Sequence, residues 1–421
     1  MSETKSKQPA DCYELDPALL TVAQAQARIM ALATAVKQSE SLAIRDAFGH
    51  VLAESIISPL NVPPHANSAM DGYALRAADL PATGDTTLKV IGTALAGNPF
   101  AGTVHEGDCI RIMTGAKMPA GADTVIMQEH VQRQDDSITI GAGHKAGQNV
   151  RHPGEDIAEG STVLTAGQLI GPAELGLLAS LGIAKVETFR RLRVAFFSTG
   201  DELQPVGTKL EEGQIYDSNR YTLHGMLTQL GVEVIDMGVI RDEPGAIEAA
   251  FNQAAAQADA IITSGGVSVG EADFIKATLE NLGKIDFWRI AMKPGKPLAV
   301  GKIQQALFFG LPGNPVSVMA TFYLFAMPAL RQMMGQTVTS PLHVTAVCKH
   351  ALKKRPGRLD FQRGLLSNEN GQLVVDAAGM QASHILSGMS QANCFIVLPL
   401  ESGNVDAGST VDVIPFHGLI A

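Results

Sequence analysis

A chain of 421 residues, 46% of them hydrophobic, can bury more than one core, which excludes a small disulfide-stapled scaffold. Its formal charge of −10 argues against broad, non-specific nucleic-acid binding while leaving room for a local basic pocket. The cysteines Cys12, Cys109, Cys348 and Cys394 stand far apart without zinc-ligand spacing, and read as free thiols in a reducing compartment.

The first residues, MSETKSKQPADCYELD, are polar and lack the apolar centre of a secretory signal, so the cytoplasm is the expected location. At 21–38, Val22, Ala25, Ile29 and Leu32 recur among alanines at helical spacing. The prolines and small residues of NVPPHANSAMDGYALRAADL force an irregular path and set Asp71 on a positioned loop. Over 88–140, short β-like runs such as LKVIGTAL, DCIRIMTG and DTVIMQEH alternate with glycine-rich turns, predicting a small β-rich module. A charged, glycine-rich stretch at 143–167 precedes a helix expected over 173–181, and a boundary follows near Arg190.

Beyond that boundary the pattern predicts strands at 193–198, 232–237, 260–263 and 306–311. Helices are expected at 219–229, 244–256, 273–282 and from Val316 onward. Strands and helices alternating at this length imply βαβ units around a mostly parallel sheet covered on both faces. The uncharged stretch 306–330 has the length of a membrane span, but GLPGNP breaks it into a strand and a separate helix, so no membrane crossing is expected. After 341 the runs LHVTAVC, LLSNENGQLVVDAA, NCFIVLPL and TVDVIPF predict a separate C-terminal β domain.

In a parallel α/β sheet, ligands bind at the carboxyl ends of the strands, where glycine-rich turns and helix starts present backbone N–H groups. Three connections fit that description. Ser198-Thr199-Gly200-Asp201-Glu202 follows the first strand, Ser264-Gly265-Gly266-Val267-Ser268-Val269-Gly270 the third, and Pro312-Gly313-Asn314-Pro315 the last. In the last, Asn314 can cap the helix and Pro315 suits its first position. Each loop alone reads equally well as a plain connection, but three at corresponding strand ends point to a shared anion site. Neither a Walker A sequence nor a G-x-G-x-x-G opening a βαβ unit is present, so an ATPase or dinucleotide site is not required.

Asp201, Glu202, Asp217, Asp242, Glu271 and Asp273 lie in or beside these connections. Carboxylates bordering phosphate need a cation between them, and magnesium binds through one or two carboxylates plus substrate phosphates. Solvated loop acids or helix caps are the alternative for Asp201, Asp217 and Asp242. Lys293 and Lys296 in MKPGKP sit on a stiff turn suited to an anionic group, with Arg358 and the Ser383-His384 pair as further polar candidates. No histidine stands in a metal spacing such as H-E-x-x-H.

The motifs NSAMDGYA, RIMTGA, RHPGEDI, FSTGDEL, IYDSN, SGGVSVGEADF, MKPGKP, GLPGNPVS and GRLDFQRG follow one another from residue 67 to 364. In this order they resemble the bacterial molybdopterin molybdenumtransferases, a family that includes the enzymatic C-terminal part of gephyrin. The resemblance runs from about residue 15 to the end. It implies a multidomain α/β and β protein with a linking helical domain at 15–60 and 149–190 and a small β-rich insert at 61–148. It further implies a mostly parallel, molybdopterin-binding-type α/β domain at 191–340 and a C-terminal β-barrel at 341–421.

The implied activity is insertion of molybdenum from molybdate into adenylylated molybdopterin, with hydrolysis of the phosphoanhydride, release of AMP and dependence on Mg2+ or another divalent cation. The implied assembly is a cytoplasmic homodimer whose cleft is composite. Asp273 and Glu202 are the implied metal and catalytic acids, Asp242 lies after GVI, and Asp71, Thr114 and Asp156 would come from the partner subunit. Lys293, Lys296, Arg358 and Ser383 resemble residues that hold molybdate or pterin phosphate. Ser198, Thr199, Gly200, Asp217, Ser264, Gly265, Gly266, Ser268, Pro312, Gly313, Asn314 and Pro315 form the implied substrate cradle. The upstream adenylyltransferase and molybdoenzyme maturation proteins are implied partners; nucleic acid and membrane are not. One departure from the family pattern is Pro64-His65-Ala66 before Asn67, where relatives more often carry an aromatic residue.

Two other readings compete. A molybdopterin adenylyltransferase shares the α/β domain but carries a GGTG-type loop, where this chain has Gly265-Gly266-Val267-Ser268, and lacks the flanking segments. A non-catalytic scaffold would not need the full set of acids.

Overall fold

The computed structural model describes residues 19–265, 278–279 and 281–416. Two compact units form: one from 41–48 and 52–188, the other from 1–40, 49–51 and 189–421. The expected helix at 273–282 falls almost wholly outside the described residues, as do Gly266, Ser268, Glu271, Asp273 and Cys12.

The first unit is built on a six-stranded sheet ordered Thr124–Met127, Gly72–Leu75, Asp108–Ile112, Asp85–Ala94, Ser137–Gly141 and Val131–Gln134. Alternation along Gly72–Leu75 sends Tyr73 and Leu75 into one buried cluster and Ala74 into another, so both faces are covered. Gly72 is required by close approach: a Cβ there would lie 2.1 Å from the Ile126 carbonyl oxygen of the neighbouring strand. The helix Pro172–Ser180 adds Leu178 to a separate cluster with Leu52, Leu164 and Val186.

The second unit contains the α/β sheet, in the order Glu233–Ile240, Arg193–Thr199, Ala260–Ser264, Ala306–Leu311, Pro297–Ile303 and Gly283–Arg289. The first four strands are parallel, and an antiparallel hairpin closes the edge. Val194 and Phe196 enter one face's core, where the helix Ser218–Leu230 contributes Leu223, Met226 and Leu227. Ala195 and Phe197 enter the other, covered by Ile247, Ala250, Phe251 and Ala254 of the helix Pro244–Gln257. That helix is keyed by two edge-on ring contacts, Phe197–Phe251 at 5.1 Å and Phe251–Phe308 at 5.4 Å. Such pairs contribute about 0.5–1.5 kcal/mol each beyond their burial.

The helix Val22–Leu32 begins at a capping box between Thr21 and Gln24, and puts Val22, Ala25 and Ile29 into the same core as Phe196. The uncharged stretch at 306–330 folds as a buried strand, the helix Pro315–Thr321, a π-turn over Phe322–Ala326 and the start of Met327–Met333. Among the described residues no helix is long and apolar enough to cross a membrane.

Five strands, Leu359–Glu369, Gln372–Ala377, Val344–Cys348, Thr410–Pro415 and Cys394–Leu398, close into a barrel when the last pairs back onto the first. Asn370-Gly371, both at positive φ, supply the tight turn between the first two of them. Cys348 and Cys394 are free and buried in this part of the chain; Cys109 is free and buried in the first unit. The short strand Met292–Lys293 pairs parallel with Leu359–Asp360, so the lysine turn is hydrogen-bonded to the barrel.

Candidate active site

The loops after three parallel strands converge. Ser198 and Ser264, in register on neighbouring strands, bring their hydroxyl oxygens to 3.0 Å in a buried pair. Gly265 follows at φ +92°, and a Cβ there would meet the Thr199 carbonyl oxygen at 3.0 Å and only ordinary contacts beyond. Its N–H donates to the Leu311 carbonyl at 3.1 Å, and Asn219 Nδ2 donates to the Gly313 carbonyl at 2.7 Å. These bonds tie the glycine turns to one another.

A cleft of about 970 Å³ opens at these strand ends, entirely within the second unit. Thr199, Gly200, Glu202, Asp242, Gly265, Pro312, Gly313 and Asn314 line the sheet side. Lys293, Lys296, Arg358 and Ser383 line it from the lysine turn and the barrel. Ser198, Ser264, Asp217 and Pro315 do not reach the wall; the two serines sit beneath it, bonded to each other. Asp242 N–H donates to Asp201 at 3.3 Å, which joins the acidic loops that follow two adjacent strands.

Asp217 caps the helix Ser218–Leu230, with Oδ1 accepting from the Arg220 N–H at 3.1 Å. Its Oδ2 and the Asn219 Oδ1 are buried acceptors without a hydrogen-bond partner.

Asn314 occupies the N-cap position before Pro315 as expected, but its side chain makes no capping bond. The Val316 N–H donates instead to the Ser383 carbonyl at 3.1 Å, because the barrel segment occupies the place a cap would take. Ser383 is thereby fixed against the start of that helix. The same segment is held from the barrel side, where Gln381 Oε1 accepts from the Arg363 N–H at 2.8 Å and its Nε2 donates to the Arg363 carbonyl at 3.1 Å. Arg363 is itself buried; one guanidinium N–H donates to the Met380 carbonyl, and Nε has no partner.

The lysine turn is rigid for local reasons. The Ile290 N–H donates to the Lys296 carbonyl at 2.7 Å and closes it. Gly295 has φ +99°, and a Cβ there would come within 2.7 Å of Thr321 Cγ2 on the helix Pro315–Thr321. Lys296 is half-buried and Lys293 is exposed, its Nζ 3.9 Å from Asp360 Oδ2.

Asp71, Thr114 and Asp156 belong to the first unit. Asp71 Oδ1 accepts from both the N–H and the hydroxyl of Thr114, each at 2.7 Å, and these two bonds hold its carboxyl below the usual carboxylate range. Val150–Arg151 pairs with Asn67–Ser68, which ties the chain before Asp156 to the chain before Asp71. Among the described residues no group of three or more His, Cys, Asp or Glu could hold a metal ion.

Sequence reasoning missed Ser317, Lys353, Gln362 and Gln381, all in the cleft wall. Ser317 lies in the first turn of the helix that Pro315 opens and ends the motif GLPGNPVS, and either signal could have found it. The other three come from the barrel: Gln362 lies inside the motif GRLDFQRG, of which Arg358 alone was singled out, and nothing local marks Lys353 and Gln381.

Residues 20–182 match the MoeA N-terminal region (domain I and II), 195–332 a probable molybdopterin binding domain, and 345–416 the MoeA C-terminal region (domain IV). A protein of Haemophilus influenzae named molybdopterin molybdenumtransferase is 49% identical over 405 residues, covering 96% of this chain and 100% of its own. The chain belongs to the MoeA family of molybdopterin molybdenumtransferases. A gephyrin of Dictyostelium discoideum is also similar, 34% identical across 89% of this chain and 59% of its own length. The crystal structure of a molybdopterin biosynthesis MoeA protein from Pyrococcus horikoshii OT3 superposes with a TM-score of 0.82 at 30% identity, over 94% of this chain and all of that one.

Proposed function

We propose that this MoeA-family chain inserts molybdenum from molybdate into adenylylated molybdopterin, hydrolysing the phosphoanhydride and releasing AMP. The observation that carries the reading is the make-up of one cleft: glycine turns at strand ends, the carboxylates of Glu202 and Asp242, and the cations Lys293, Lys296, Lys353 and Arg358. A diphosphate ester and an oxyanion both need that mixture.

In this reading the turns at Gly200, Gly265 and Gly313 admit the diphosphate against the backbone, with Gly266 and Ser268 extending the same loop. Lys293 and Lys296 offset charge on the oxyanion, and Arg358 and Ser383 face it from the barrel. Glu202 orients the attacking water and accepts its proton as the anhydride P–O bond breaks and AMP leaves. Glu202 and Asp273 are the residues that would hold Mg2+, which supplies charge neutralisation at the phosphates when bound; such an ion needs only one or two protein carboxylates.

The reading includes a cytoplasmic homodimer in which Asp71, Thr114 and Asp156 of the partner subunit complete the cleft. It also includes the four-part division at 15–60 with 149–190, 61–148, 191–340 and 341–421. Direct delivery from an upstream adenylyltransferase, and onward transfer to molybdoenzyme maturation proteins, belong to the same proposal.

The test mixes purified protein with adenylylated molybdopterin, magnesium and molybdate, and follows AMP and cofactor. Molybdate-dependent release of AMP with formation of cofactor is expected. Absence of molybdate-dependent turnover sinks the reading, and synthesis of the adenylylated pterin from ATP would favour an adenylyltransferase instead.

A further inference from the structure

In the first unit three adjacent strands bring their ends together around Asp71. Asp71 immediately precedes the central strand Gly72–Leu75, Thr114 comes shortly after Asp108–Ile112 on one side, and Gln128 follows Thr124–Met127 on the other. The Gln128 N–H donates to the Asp71 carbonyl at 3.1 Å, while Thr114 donates both its bonds to the carboxylate. The main chain and the side chain of Asp71 are thus held from different neighbouring strands.

Arg111 joins these supports. Its strand runs antiparallel to the central one with Arg111 opposite Tyr73, so the two side chains share a face. The guanidinium carbon lies 5.1 Å from the centre of the Tyr73 ring, and Tyr73 is buried. One terminal nitrogen donates to Gln128 Oε1, and the other lies 3.5 Å from the Gly72 carbonyl oxygen. A single guanidinium therefore grips Asp71 from two directions: through Gly72, the next residue in the chain, and through Gln128, which binds its carbonyl. A lysine could not do this, because an ammonium has neither the planar fork nor the face that stacks on a ring.

The charge matters as well as the fork. The ring face, the carbonyl and the amide oxygen are all neutral, so the guanidinium charge is not cancelled by the groups that hold it. The two Thr114 bonds chiefly hold the Asp71 carboxyl below its usual range, and the Arg111 charge adds to them. Glu129 is held low by its own backbone N–H and by the Gln128 amide, at 3.0 Å, against repulsion from Asp71. Two ionised carboxylates therefore stand close together, and a fixed cation beside them lowers the cost of keeping both charged.

We propose that Arg111 is a positioning residue for Asp71, fixing its carboxylate through Gly72, through Gln128 and by its own charge. This hold is a property of the first unit by itself. That it serves turnover rests on the function proposed above, in which Asp71 completes the cleft.

The test uses full-length protein with isotope-labelled aspartate carboxyls, the Asp71 resonance being assigned by its loss in Asp71→Asn. In Arg111→Gln the Asp71 carboxyl is expected to titrate at higher pH than in wild type, with circular dichroism unchanged. Arg111→Lys, which keeps the charge and gives up the fork, should return the titration toward wild type and restore AMP release only in part. AMP release in Arg111→Gln is expected to fall by about 10- to 100-fold, the effect of losing one charged hydrogen bond. A double-mutant cycle shows whether Arg111 acts through Asp71, because Asp71→Asn/Arg111→Gln should then be no slower than Asp71→Asn alone. Gln128→Ala removes one arm of the hold at an exposed position, without altering the sheet, and should give a smaller loss that also vanishes in the Asp71→Asn background. An Asp71 carboxyl that titrates alike in wild type and Arg111→Gln, or rate losses that multiply in the double variants, overturns the proposal. The titration needs no turnover, so a wild-type protein that releases no AMP loses the functional reading while the Asp71 titration still decides the role of Arg111.

Discussion

The two walls of the cleft are made from different materials. On the sheet side, Gly200, Gly265 and Gly313 put backbone in the wall, and the side-chain charge is negative, from Glu202 and Asp242. On the other side, the lysine turn and the barrel contribute Lys293, Lys296, Lys353 and Arg358. Parallel strands end at fixed heights, so the sheet can place short turns and acids with little adjustment. Long cationic side chains need a separate support, and the pairing of Met292–Lys293 with Leu359–Asp360 provides it. Under the proposed function, this contrast would put bond breaking on the sheet wall and oxyanion capture on the barrel wall.

Removing the sheet-side acid should have the largest effect. Glu202→Ala is expected to lower the rate of AMP release by about 10²–10⁴-fold, the usual contribution of a positioned acid or base. Circular dichroism and the melting temperature should not change, because Glu202 is exposed. Wild-type turnover in this variant would move bond breaking off the sheet wall.

A smaller effect concerns what pins the sheet's strands at the end away from the cleft. Arg190 makes two bonds to Asp259, each 2.7 Å, and the Arg193 N–H donates to the same carboxylate at 2.8 Å. Burial pushes the Asp259 carboxyl up, but these bonds and the nearby guanidinium charges more than offset it and hold it below its ordinary value. The carboxylate's contribution is therefore complete above the unfolded pKa of about 3.9, and is lost as the pH falls through the lower folded value. Asp259→Asn should cost about 1 kcal/mol at neutral pH, allowing for partial exposure. The cost should shrink toward zero in strong acid. Denaturant melts at pH 7 and pH 3 check this, and an equal loss at both would remove Asp259 from the acid response.

Much of this architecture was legible in the chain, and the exceptions share a cause. The buried strands at Arg193–Thr199, Ala260–Ser264 and Ala306–Leu311 announce themselves because both faces are covered and every position after Arg193 is apolar or small. The edge strand Gly283–Arg289 carries no such mark: half its positions face outward and its residues are correspondingly polar. The barrel strands were visible one by one, but their closure depends on Leu359–Glu369 meeting Cys394–Leu398, a non-local pairing. For the same reason the strand-end turns could be picked out in order, while Lys353 and Gln381 could not. Asn314 shows the limit in the other direction: its position was legible, and its bond was displaced by the distant Ser383 carbonyl.

The division of labour between the two walls is tested most directly by the rate of AMP release against molybdate concentration in wild type and Lys296→Ala. Lys296 is half-buried in the barrel-side wall of the cleft. The account predicts the same plateau, reached at roughly 10- to 100-fold higher molybdate, as loss of a charged hydrogen bond of about 1.5–3 kcal/mol requires. A lowered plateau at unchanged half-saturation would contradict it, placing Lys296 in bond breaking and ending the separation of the two walls.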